Sequence, residues 1–169
     1  MRVFLTGATV FIGSAIVPEL INAGHEVLGL ARSDASAQAL IRQGAQVHLG
    51  SLEDLDTLRA GAASADAVMH TAFDHDFSKF AMHCENDRKV IEALGLVLAG
   101  TTRPLIITSA TGVTAIQPGA VTTEDDAPVS AEVHPRASSE EAASAVAKLG
   151  CRVLVMRMPQ VHDTRKQGL

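Results

Sequence analysis

At 169 residues the chain is long enough for one domain with a real hydrophobic core and too short for two of ordinary size. The formal net charge is −5, and the 14 Lys and Arg residues stand singly along the chain, which argues against nucleic acid or an anionic membrane as a partner. Hydrophobic residues make up 47% but aromatics only 3%, with no Trp or Tyr, so Ala, Val, Leu and Ile must build the core. That is the usual material of buried parallel strands and their covering helices. No apolar run approaches the roughly 18 residues that would span a bilayer, and Thr6-Gly7 interrupts the first apolar segment early. The expected location is therefore cytoplasmic. Cys84 and Cys151 lie far apart with no C-x-x-C spacing and read as buried thiols.

Short apolar runs at 2–5, 26–31, 46–49, 67–71, 104–108 and 152–157 read as strands. Between them the periodicity predicts helices at 14–23, 35–43, 52–60, 77–99 and 138–149. This alternation is the signature of successive βαβ units, hence an α/β fold with a doubly wound parallel sheet of six strands and helices on both faces. Gly24, Gly44 and Gly150 each close a helix before a strand. Pro18 falls inside the first helix, where it removes a backbone hydrogen bond. The segment 117–135, with Pro118, Pro128 and Pro135, reads as a surface loop.

The first strand runs into Thr6-Gly7-Ala8-Thr9-Val10-Phe11-Ile12-Gly13, and the pattern opens a helix at Ser14. Such a turn aims backbone N–H groups and the positive end of a helix dipole at the ends of the strands, a site suited to a phosphate. Gly7 permits the tight turn and Gly13 the close packing of helix on sheet. In this stretch the chain resembles the extended and atypical short-chain dehydrogenase/reductases of the NAD(P)-dependent epimerase/dehydratase group, whose turn reads T-G-x-x-G-x-x-G. The likeness extends through Ile16, Ala23-Gly24-His25-Glu26-Val27 and Leu30-Ala31-Arg32-Ser33, and reaches Arg157-Met158-Pro159. It implies a Rossmann domain that binds NAD or NADP, with Gly7, Thr9, Val10, Phe11, Ile12 and Gly13 at the pyrophosphate. Val10 departs from the family pattern, which has glycine there. A branched side chain would crowd the phosphate or be strained if the position needs positive φ; the alternative is that the turn relaxes and Val10 points into the protein.

At the end of the second strand, where an acidic residue selects NAD, stand Arg32 and Ser33. A guanidinium beside a hydroxyl suits a 2′-phosphate, so NADP is expected; Asp34 keeps NAD open, and Arg32 as a solvated helix-start cation is the plain alternative. The resemblance places Ser51 and Leu52 at the adenine, Thr71, Ala72 and Phe73 beneath the ribose, and Pro159 and Val161 beside the nicotinamide. Gly50-Ser51-Leu52-Glu53-Asp54 resembles the family's adenine segment G-D-L-x-D with Ser51 in place of the first Asp; the alternative for Asp54 is the N-cap of a short helix that follows. His70, alone on an apolar strand, reads as a packed core residue. Asp74-His75-Asp76 reads as a polar loop, and no metal is expected.

The family's proton exchange uses Ser or Thr with a Tyr and Lys spaced Y-x-x-x-K. This chain has no Tyr; Arg136 stands at the Tyr position and Glu140 at the Lys position. Ser109 matches the family's substrate-orienting Ser and is the one catalytic candidate. Glu140 is read as complementing the dipole at its helix start. Only residues 158–169 follow the sixth strand, where relatives carry a C-terminal substrate-binding part, so residues 1–169 are expected to be a dinucleotide domain without it. The resemblance thus implies an oxidoreductase-like protein acting on a small-molecule substrate; the oligomeric state is left open, with a homodimer one alternative, since relatives commonly dimerise through the helices matched by 77–99 and 138–149. The alternative is a non-catalytic dinucleotide-binding or sensing module, or an inactive fragment.

Overall fold

The computed structural model describes residues 1–114 and 121–159. They form β1 (Arg2–Thr6), α1 (Phe11–Asn22), β2 (Glu26–Ala31), α2 (Asp34–Arg42), β3 (Gln46–Leu49), α3 (Leu55–Ala63), β4 (Ala67–His70), α4 (Phe80–Leu98), β5 (Pro104–Ala110), α5 (Ser138–Lys148) and β6 (Arg152–Met158). Short 3-10 turns occupy Phe77–Lys79, Thr111–Val113 and Pro135–Ala137. The strands are all parallel, in the order β3-β2-β1-β4-β5-β6, which is the Rossmann doubly wound arrangement. β1 lies in the middle, pairing Val3 with Val27 of β2 on one side and with Ala67 of β4 on the other. The chain therefore reverses its winding direction between β1 and β4, the place where a ligand crevice opens at the carboxyl ends of the strands.

Alternation along β1 divides the core. Phe4 joins Leu58, Ile91, Leu94, Leu105 and Ile107 on the face covered by α3, α4 and α5. Leu5 joins Val17, Val27 and Leu40 on the face covered by α1 and α2. Both cores are aliphatic apart from Phe4, as the composition requires. β6 is the outermost strand on its side, and Leu154, Val155 and Met156 are exposed along it.

Some element boundaries differ from the sequence pattern, each for a local reason. The first helix opens at Phe11, three residues before Ser14, because Val10 is already an extended N-cap and Ser14 N–H reaches its carbonyl at 2.8 Å. The third helix is displaced to Leu55–Ala63: Asp54 caps it by accepting from Thr57 N–H at 3.1 Å, which holds residues 51–53 outside the helix. The segment 77–99 divides into a 3-10 turn and α4, with Asp76 capping the turn through Ser78. Pro18 sits inside α1. Gly24, Gly44 and Gly150 all have positive φ at their helix ends. Residues 121–134 carry no helix or strand, with Thr114 bridging to Pro128. Both cysteines are buried free thiols, and burial raises the Cys84 pKa to about 11. Among the described residues no helix is long and apolar enough to cross a membrane.

A methyl group added at Gly61 of α3 would lie 2.4 to 2.7 Å from three ring atoms of Phe4, which is fully buried. Alanine gains about 1 kcal/mol over glycine inside a helix, whereas overpacking a closed core costs about 1–3 kcal/mol. Gly61→Ala is expected to lower the midpoint of urea unfolding with an unchanged slope; an unchanged or raised midpoint would show that the ring yields.

Candidate functional site

The turn between β1 and α1 is set by contacts between bare backbones. Gly7 has φ +71, and a Cβ there would lie 2.7 Å from the Ala72 nitrogen, so the turn rests directly on the chain leaving β4. A Cβ on Gly13 would lie 2.1 Å from the Gly7 carbonyl oxygen, so α1 can start beneath the turn only with glycine at that position. Val10 N–H donates to the Gly7 carbonyl at 3.1 Å, and the helical ladder starts at Ser14, leaving the amides of Ile12 and Gly13 ahead of it. Val10 has φ −96 and ψ 179 and is 50% exposed. Two expectations about it are corrected: extended backbone carries no strain, and the side chain faces solvent at the corner instead of turning into the protein. Thr9, Phe11 and Ile12 are half-buried around the same turn.

Beyond the ends of β2 and β3 lies a cleft of about 450 Å³ lined by Ala31, Arg32, Ser33, Asp34, Leu49, Gly50, Ser51 and Asp54. It brings Arg32, Ser33 and Ser51 together. Ser33 is occupied as the N-cap of α2, accepting from Ser36 N–H at 3.3 Å in a capping box, while Arg32 is exposed. Leu52 turns toward the core. Leu49, 64% exposed at its strand end, forms an apolar wall of the cleft, a role that its place in an apolar run disguised in the sequence.

At the end of β4, Thr71 donates to the Thr6 carbonyl at 2.8 Å, Ala72 is buried against the glycine turn, and Phe73 is half-buried. The Arg136 guanidinium lies over the Phe73 ring at 4.3 Å. Buried His70 bridges Thr6 Oγ1 at 2.6 Å and Asp87 Oδ1 at 2.8 Å, so it is a core residue held in a polar chain. Asp87 Oδ2 accepts from Arg136 at 2.7 Å and from Ser139, which also pairs with Arg136, and Arg136 donates to the Thr108 carbonyl at 2.8 Å. Burial would raise the Asp87 pKa, but His70, Arg136 and Ser139 together outweigh it and hold the carboxyl below its ordinary value. Asp87 was not singled out by sequence, although a signal existed: it falls in the apolar helical stripe Cys84, Asp87, Ile91, Leu94, Leu98, where a carboxylate demands a cation.

Ser109, at the end of β5, is 4% exposed and donates to Glu140 Oε1 at 2.7 Å. Glu140 in turn accepts from Arg157 Nε at 3.0 Å and Nη2 at 2.9 Å. Glu140 does lie in the first turn of α5, and beyond favouring the dipole its side chain is buried and committed to an ion pair. Burial pushes its pKa up, and the Arg157 and Ser109 hydrogen bonds and the Arg157 and Arg136 charges bring it below the ordinary range. The two positions likened to Tyr and Lys therefore each hold half of a buried ion pair. Pro159 is exposed just past β6, and Val161 lies outside the described residues. Asp74, His75 and Asp76 are exposed, and the described residues include no group of three placed to hold a metal.

The glycine cradle, the amides ahead of the α1 ladder and the cleft at β2 and β3 fit a dinucleotide, and comparison with known proteins agrees. A family model described as NAD(P)H-binding matches residues 7–169. The chain belongs to this NAD(P)H-binding family, and its fold is that of the epimerases and short-chain dehydrogenase/reductases. An uncharacterised protein of Schizosaccharomyces pombe is 47% identical over 94% of this chain and 53% of its own length. A 4-hydroxy-2-methyl-3-oxo-4-farnesyl-3,4-dihydroquinoline-1-oxide ketoreductase of Stigmatella aurantiaca is 39% identical over 43% of this chain and 22% of its own. Among solved structures, a short-chain dehydrogenase/reductase superfamily protein of Agrobacterium tumefaciens with bound NAD superposes with TM-score 0.72 at 21% identity, over 96% of this chain and 50% of that one. The UDP-glucose-4-epimerase of Stenotrophomonas maltophila, also with NAD, gives 0.74 at 22% identity, over 93% and 52%. The chain spans about half the length of the relatives that it matches from end to end.

Since Asp87 and Glu140 both have depressed pKa values in the folded state, the stability they confer is complete above the ordinary carboxylate range, near pH 4, and drains away as pH falls through the depressed values. Urea unfolding followed from pH 7 down to pH 3 is expected to show this loss. Asp87→Asn strands Arg136 and should cost about 3–5 kcal/mol at pH 7 while flattening the acid slope; a variant as stable as the parent, or with the same slope, would remove Asp87 from the account.

Proposed function

We propose that this chain forms the dinucleotide-binding part of an NADP(H)-dependent oxidoreductase, with Ser109 touching the substrate oxygen. The observation that carries this reading is the Gly7–Gly13 turn, packed backbone against backbone at the switch between β1 and β4. The pyrophosphate would rest on the amides of that turn, with Thr9, Val10, Phe11, Ile12 and Gly13 around it. The adenosine end would enter the cleft beside Leu49 and Ser51, and Thr71, Ala72, Phe73 and Pro159 would flank the ribose and nicotinamide end. When bound, the dinucleotide supplies or accepts hydride. What the protein contributes is placement: Ser109 stands on the same carboxyl edge of the sheet, two strands from β1.

NADP is favoured over NAD because Arg32 is exposed at the mouth of the cleft and pairs with no carboxylate among the described residues, whereas Ser33 is engaged in its cap. Asp34 at the start of α2 is the group that would serve NAD. The oxidoreductase reading is supported by the Stigmatella ketoreductase, whose likeness covers only part of the chain.

Titration of NADPH fluorescence is expected to show saturable binding, tighter than NADH. Arg32→Ala should weaken NADPH about tenfold or more, the scale of a lost charge-assisted bond, and leave NADH within about twofold. Equal affinity of the parent chain for both dinucleotides would sink the preference. Calorimetry on Val10→Gly addresses the exposed valine: tighter binding is expected if its methyl groups stand where the phosphate must come, and identical affinity would show that they do not.

A further inference from the structure

A serine hydroxyl has one hydrogen to give, and at Ser109 it goes to Glu140 Oε1 at 2.7 Å. What Ser109 can offer any ligand depends on whether that arrangement is fixed. Glu140 is 7% exposed, and its two oxygens are forked by Nε and Nη2 of Arg157 at 3.0 and 2.9 Å, the geometry of a strong charge-assisted pair. A carboxylate so held accepts and does not donate. Ser109 must therefore spend its hydrogen on Glu140, and only oxygen lone pairs remain for whatever approaches the end of β5.

Arg136, whose sequence position is likened to that of the catalytic tyrosine, spends three of its five N–H donors within the protein. It is already bonded to Asp87, Ser139 and the Thr108 carbonyl, and its plane covers Phe73. Resting on the reading of Ser109 as the substrate-contacting residue, we propose that Glu140 and Arg157 are positioning residues that lock Ser109 as a hydrogen-bond acceptor. The site then selects ligands presenting a hydroxyl donor, a secondary carbinol, over the corresponding carbonyl compounds.

1-Phenylethanol and acetophenone share one skeleton and differ in whether the oxygen donates or only accepts. Their dissociation constants are to be measured by saturation-transfer NMR on this chain, with NADP⁺ present and again without it. The expected result is at least about fivefold tighter binding of the carbinol, the scale of one hydrogen bond. Glu140→Asp should keep that preference. Glu140→Ala, which removes the acceptor and frees the serine hydrogen, should abolish or invert it. If circular dichroism shows that Glu140→Ala does not fold, Ser109→Ala replaces it, with the ratio expected to collapse to about one.

Equal affinities in the parent chain, a ratio untouched by Glu140→Ala or Ser109→Ala, or saturation by neither probe would overturn the inference. Failure of NADPH to bind the parent chain overturns instead the dinucleotide reading, and the ratio measured without NADP⁺ keeps the two failures apart.

Discussion

Everything at the carboxyl edge of the sheet depends on two main-chain segments meeting where no side chain fits. Gly13 lies so close to the Gly7 carbonyl that any β-carbon would overlap it, and Gly7 in turn abuts Ala72 beyond β4. This contact ties α1, β1 and β4 into one corner and directs the first amides of the helix outward. Because β4 lies parallel beside β1, the chain leaving it at Thr71 and Ala72 braces the turn from that side.

Around that corner the molecule handles charge in an unusual way. Two guanidinium groups, Arg136 and Arg157, are each matched with a buried carboxylate, Asp87 and Glu140, and both pairs reach serine hydroxyls. Buried pairs of this kind are seldom worth more than the apolar residues that could replace them, but removing one partner is costly because the other charge is left without solvent. Their value is in orientation. The Asp87 pair runs through His70 to Thr6, the residue before the glycine turn, so α4 and α5 help set the backbone on which the turn is built.

The fold was legible in the sequence because each of its signals is local and repeated: six apolar runs, five amphipathic stretches and glycines at the joints. Boundaries slipped where a single side chain decides the first hydrogen bond, as with Asp54 displacing α3 and Val10 starting α1 early. In the candidate site, the glycine turn could be read because its residues are consecutive. The pairs Arg136–Asp87 and Glu140–Arg157 could not, since their members are 49 and 17 residues apart and come together only when α4, α5 and β6 are packed. Glu140 looked like an ordinary first-turn acid, and only its burial beside Ser109 shows otherwise. Ser33 shows the reverse error of emphasis: its hydroxyl fits a phosphate in the sequence, and the helix it caps has already claimed it.

The outer margin of the sheet has a further effect on the behaviour of the polypeptide. Along β6 one row of peptide groups faces no other strand among the described residues, with Leu154, Val155 and Met156 exposed beside it. Such a margin is a template onto which extended chains can add, and proteins commonly guard it with charge. Of the two arginines in β6, Arg157 is turned inward to Glu140, which leaves Arg152 as the single sentry.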